Sequence, residues 1–125
     1  MRRRWWHALL LVLAADMVVA AGPELDKEVM ETIEVVNESL ASNIGLRDVA
    51  AVHTDAKDLD ELFAEVEAYF TARGDAKDAV DYTRRTRLLL GTVKESVDAG
   101  RFEDAANAAS EVGRVCKACH RKYKP

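Results

Sequence analysis

The chain has 125 residues, with 18 Lys and Arg against 22 Asp and Glu, for a formal charge of −4. That acidic balance argues against nucleic acid as a partner. The length suits one small domain with a limited core, and only two cysteines occur.

Residues 1–21 read as a secretory signal peptide. Arg2, Arg3 and Arg4 form its charged start, Ala8 to Ala15 its apolar run, and Val19-Ala20-Ala21 the small residues before cleavage, expected after Ala21. The alternative is an uncleaved anchor, but an apolar run broken by Asp16 is short against the roughly 20 residues a bilayer needs. The mature chain is then a single domain, residues 22–125. Without the leader's three arginines and Asp16, its formal charge falls to −6.

Helical periodicity follows in four segments. The first covers about Glu24 to Ser42, with a stripe of Val29, Ile33, Val36 and Leu40 and with Met30 beside it; Asn43-Ile44-Gly45 is its stop. The second runs from about Leu46 to Ala72 on an unbroken seam of Val49, Val52, Ala56, Leu59, Phe63, Val66 and Phe70. Gly74-Asp75 is expected to end it and to cap the next helix. The third, about Ala76 to Ala99, carries Val80, Thr83, Arg87, Leu90, Val93 and Val97. Gly91 weakens it or leaves room for something flat, and Gly100 stands where a terminating glycine belongs. The fourth, Phe102 to about Tyr123, carries Ala105, Ala109, Val112, Cys116 and Cys119. Its alanines suit either helix propensity or a core that needs space. Four helices with short connections predict an all-α, antiparallel up-down-up-down four-helix bundle. Gly100 to Ala106 also resembles one helix of a tetratricopeptide repeat, but no second copy stands at the required period.

The last helix ends in Cys116-Lys117-Ala118-Cys119-His120. C-x-x-C-H is the attachment pattern of a c-type haem: two thiols bond one porphyrin, and the adjacent imidazole lies under its iron. On a helix, residues three and four apart share a face. Other readings fit less well. A thioredoxin-like C-x-x-C belongs near a βαβ pattern. Structural zinc usually takes four protein ligands. A disulfide within this helix is sterically awkward and closes almost no loop. Charge is also uneven: Glu24, Asp26, Glu28, Glu31, Glu34 and Glu38 make the first helix acidic, and Arg114, Lys117, Arg121, Lys122 and Lys124 make the motif end basic. Those cations are either a solvated surface at a helix C-terminus or a collar that steers an acidic partner.

A four-helix bundle with C-x-x-C-H on its last helix resembles the class II c-type cytochromes, the cytochrome c′ family. The resemblance covers the mature chain and is most specific from Glu111 to Lys124. In the family a glycine often precedes the motif, and an aromatic and a basic residue follow it; Gly113, Tyr123 and Lys124 hold those places. Many relatives have arginine where this chain has Lys124, which keeps the charge but loses the planar fork.

The resemblance implies a periplasmic protein with one covalent haem c per chain on Cys116 and Cys119, and with His120 as proximal ligand. It divides on the distal side. Gas-binding members place a non-ligating residue over a five-coordinate iron, and low-spin electron carriers place a methionine there. Met30 is the mature chain's only methionine and lies on the first helix, where analogy puts the distal residue. A thioether ligand raises the reduction potential. The expectation is therefore a one-electron carrier with no enzymatic chemistry, docking redox proteins at the haem edge as a monomer or homodimer. A five-coordinate cytochrome c′ binding NO or CO is the alternative. His53 is a rival distal ligand, and Lys27 a remote one. Relatives often carry an arginine four residues before the distal residue, near the propionates. Here Asp26 stands there, which leaves Arg84, Arg85 and Arg87 as candidate cations.

Overall fold

The computed structural model describes residues 25–123. The expected leader and Lys124 lie outside them. Four helices and no strand occur among the described residues: α1 (Lys27–Gly45), α2 (Val49–Arg73), α3 (Lys77–Asp98) and α4 (Phe102–Tyr123). Each helix packs on the next, and α4 returns to α1. Of these four interfaces α2–α3 and α3–α4 are the most extensive and α1–α4 is the smallest. No helix among the described residues is long and apolar enough to cross a membrane.

The seam of α2 is buried as its spacing predicts. Val52, Ala56, Leu59, Phe63, Val66 and Phe70 all face the core, with Val49 half-buried at its start. Steps of three and four keep side chains on one stripe of the helix, and that stripe is the one sealed from water. In α3 the core takes Val80, Thr83, Leu90, Val93 and Val97, joined by Ala79, Thr86 and Ser96. The two buried threonines return their hydroxyls to the helix itself: Thr83 donates to the Val80 carbonyl at 2.8 Å and Thr86 to the Tyr82 carbonyl at 3.1 Å. In α4 the buried residues are Ala105, Ala108, Val112 and Val115, so the core stripe lies to one side of the one expected.

Three features of the connections differ from expectation. The first helix runs through Asn43, Ile44 and Gly45, and Ile44 is a buried core residue. The chain turns two residues later, at Arg47, which adopts a left-handed φ of 56°. There the Arg47 N–H donates to the Ile44 carbonyl and the Asp48 N–H to the Asn43 carbonyl. That is a Schellman motif with arginine where glycine is usual. Gly74 ends α2 in the left-handed conformation as predicted, but Asp75 does not cap α3. The N-cap is Ala76, whose methyl side chain cannot cap, and the Asp75 carboxylate pairs instead with Arg73 at 2.8 Å. Gly100 behaves as read: at φ 72° it donates to Val97 while Arg101 donates to Ser96.

Candidate functional site

The α4 helix sets the geometry of Cys116, Cys119 and His120. At about 100° per residue, Cys119 and His120 lie about 60° to one side and about 40° to the other side of Cys116. The three side chains therefore span one continuous arc. Cys116 and Cys119 are half-buried and pack on the core, whereas His120 is exposed. Both thiols are free. Burial pushes each above the usual thiol range, and the nearby Cys116 and Asp78 add to the effect at Cys119. Such thiols are poor nucleophiles while the bundle is closed.

Ion pairs identify which neighbour lies on each flank of α4. On one flank Glu111 accepts from Arg85 of α3 at 2.5 Å, and Lys122 donates to Asp78 of α3 at 2.5 Å. Glu111 and Lys122 lie about 140° and 120° from Cys116 in the Cys119 direction. His120 and Gly113 lie on the opposite flank, away from α3. The same reasoning applies to α1. Ser39 and Asn43 donate to the Asp55 carboxylate of α2 at 2.9 and 2.8 Å, which marks its α2 flank. Met30 lies about 60° from the buried Ile33 on the other side. It is half-buried and packs on the same core as Cys116 and Cys119. Met30 and His120 thus flank the seam between α1 and α4. Ala106, Ala109 and Gly113 lie on the same flank of α4 as His120, and a Cβ on Gly113 would meet nothing within 4 Å.

The last turn of α4 is tied to α2 and α3. The Tyr123 ring packs on Phe70 at 5.3 Å between centroids, and the Arg73 guanidinium lies 5.9 Å from both rings. The Tyr123 hydroxyl donates to Asp78. The Lys122 ammonium and the Tyr123 hydroxyl hold the Asp78 carboxyl well below its usual range, at about 2. Neither Arg73 nor Asp78 stands out in the sequence; Tyr123, which joins both, lies 50 and 45 residues further along the chain, and no local spacing announces the contacts.

The rival residues fall elsewhere. His53 Nε2 lies 2.6 Å from the Asp98 carboxylate at the end of α3, whereas Tyr123 and Lys122 meet Asp78 at its start. Twenty residues of helix, about 30 Å, separate those two points. Lys27 is exposed and pairs with Glu31 at 3.2 Å. The three arginines proposed for propionates are engaged with protein carboxylates. Arg84 holds Glu67, Arg85 holds Glu111, and Arg87 holds both Asp60 and Glu67, at 2.5 to 3.1 Å. Among the described residues Lys117 and Arg121 make no ion pair, so they remain as exposed cations beside His120.

A haem fits the donor set here: two free thiols one turn apart, an imidazole on the same arc, and a thioether on the helix across the seam. No cluster of three or more His, Cys, Asp or Glu among the described residues is placed to hold a bare metal ion. Every buried side-chain polar atom among the described residues has a partner. Two surface clefts, of about 440 and 500 Å³, are lined by residues of α2 and α3 and do not touch the motif. A porphyrin between these donors would require α1 and α4 to separate, and theirs is the smallest of the four interfaces between successive helices around the bundle. No family model, curated protein or solved structure matches this chain.

Proposed function

We propose that this chain is a periplasmic monohaem c-type cytochrome of the cytochrome c′ kind, a one-electron carrier with no substrate chemistry of its own. The observation that carries the reading is the joint placement of four donors. Cys116 and Cys119 face the core, and Met30 and His120 flank the α1–α4 seam. An up-down-up-down course would bring the start of α1 beside the end of α4. Contacts between the end of α1 and the start of α2 (Asn43 with Asp55), and between the ends of α2 and α4 (Phe70 with Tyr123), support that course.

When bound, haem c supplies a one-electron couple. Cys116 and Cys119 would hold it by thioether bonds, His120 would ligate from the α4 side and Met30 from α1. Both thiols are half-buried against the core of the closed bundle, so attachment would precede its closure. Lys117 and Arg121 would steer an acidic redox protein to the exposed edge. The alternative, a five-coordinate cytochrome c′ that binds NO or CO, takes the half-buried packing of Met30 as a pocket wall.

The test is expression of the full chain with a c-type maturation system. The expected product retains haem after denaturation, gives a low-spin reduced spectrum and resists CO. Loss of haem on denaturation overturns the reading. A high-spin spectrum with rapid CO binding selects the gas-binding form. Met30→Leu is expected to convert a low-spin protein into a high-spin one; an unchanged spectrum removes Met30 from the ligand set.

A further inference from the structure

We infer that Asp78 is a positioning residue for His120: from the first turn of α3 it holds the last turn of α4 in the helical register that ligation needs. The inference rests on the haem reading above. His120 is exposed and has no hydrogen-bond partner of its own among the described residues, so the backbone of its turn alone sets its place. That turn is inherently weak. The last four carbonyls of a helix lack intrahelical donors, and helix ends fray.

Asp78 opposes the fraying with one carboxylate. Oδ2 accepts from Lys122 Nζ at 2.5 Å. Oδ1 accepts from the Tyr123 hydroxyl and, within α3, from the Ala79 N–H at 3.1 Å. The two residues held lie two and three positions beyond His120, in its own turn. Tyr123 is also fixed on Phe70 under Arg73, so the ring resists rotation about the chain. Asp78 makes no hydrogen bond to the thiols or the imidazole; its charge adds to the upward push on the Cys119 thiol, and it reaches His120 only through the turn it anchors.

The experiment compares haem-loaded wild type with Asp78→Asn, Asp78→Glu and Tyr123→Phe. Asp78→Asn keeps the shape and removes the charge; Tyr123→Phe keeps the ring packing and removes one hydrogen bond, which guards against a variant that fails to fold. Expected in Asp78→Asn are full covalent haem and unchanged helicity, with part of the absorption shifted to a form lacking the histidine. Amide exchange over residues 119–123 is expected to rise about tenfold or more, the scale of losing a charge-assisted hydrogen bond. Asp78→Glu is expected to restore both, and Tyr123→Phe to show a smaller change of the same kind. A lower melting temperature with wild-type spectrum and wild-type exchange at 119–123 would overturn the inference, leaving Asp78 an ordinary structural pair. A wild-type chain without covalent haem overturns the functional reading and the ligation role together; the exchange data then report the anchor by itself.

Discussion

Gly100 and Gly113 should respond in opposite ways to the same substitution. Gly100 sits at φ 72°, where an L side chain crowds its own backbone. Gly113 lies inside α4 with open space around its Cα. Gly100→Ala is expected to destabilise the chain by about 1 kcal/mol. Gly113→Ala should stabilise it by about 0.5–1 kcal/mol, because alanine removes unfolded-chain freedom at no steric cost. Denaturant titration of the haem-free protein checks both signs. Arg47 shows why one turn could be read and the other could not. Glycine at 100 announces a left-handed residue, but at the first turn that conformation falls on an arginine. Gly45, which attracts the prediction, is absorbed into the helix. The Arg47 guanidinium lies 5.3 Å from the Phe102 ring at the start of α4, a cation–π contact that helps offset the strain.

At the scale of helices, legibility depends on whether the signal lies within one segment. The α2 stripe is read correctly because its spacing is a property of α2 alone. The offset of the α4 stripe is not, because it depends on where α3 lies against α4. Arg85 on Glu111 and Lys122 on Asp78 fix that orientation, and neither pair is visible as a local pattern. The fate of Arg87 has the same cause: it occupies a seam position in α3, yet its charge draws it out to Asp60 and Glu67 on α2. The C-x-x-C-H run is legible because its spacing lies wholly within two turns of one helix. The seam position of His120 emerges only once the helices are packed. Two predictions belong at this scale. Leu59→Ala, at a site with no exposure, is expected to cost about 2–5 kcal/mol by denaturant unfolding. Amides of α1 should exchange faster than those of α2 and α3, since α1 has the smallest packing with its neighbours. Uniform protection across all four helices would count against α1 as the element that moves to admit a haem.

Across the whole bundle, acid should loosen the helices from one another before it melts any one of them. Three carboxylates that join helices are held below their ordinary range. Glu67 on α2 is lowered by hydrogen bonds from Arg84, offset in part by burial and aided by Arg87. Glu111 on α4 is lowered by Arg114, with Arg85 adding its charge. Asp78 on α3 is lowered to about 2 by Lys122 and Tyr123. In each case the folded state prefers the ionised form more than the unfolded chain does. The stabilisation is therefore complete above the unfolded values of 3.8 for Asp and 4.5 for Glu, and it is lost as the pH falls through the lower folded values. Exposure and salt make each pair weak singly, but together they tie α3 to both of its neighbours. Protonation of the carboxylates also leaves the 15 Lys and Arg of residues 22–125 without counter-charge, so self-repulsion acts in the same direction. The melting temperature should be flat from pH 7 to about 5 and fall steeply from there towards pH 2. Asp78→Asn has no proton to gain at that position, so its melting temperature should start lower and fall less between pH 4 and 2. Parallel curves for the two proteins below pH 4 would mean that the Asp78 carboxylate does not bind α4 to α3 in solution.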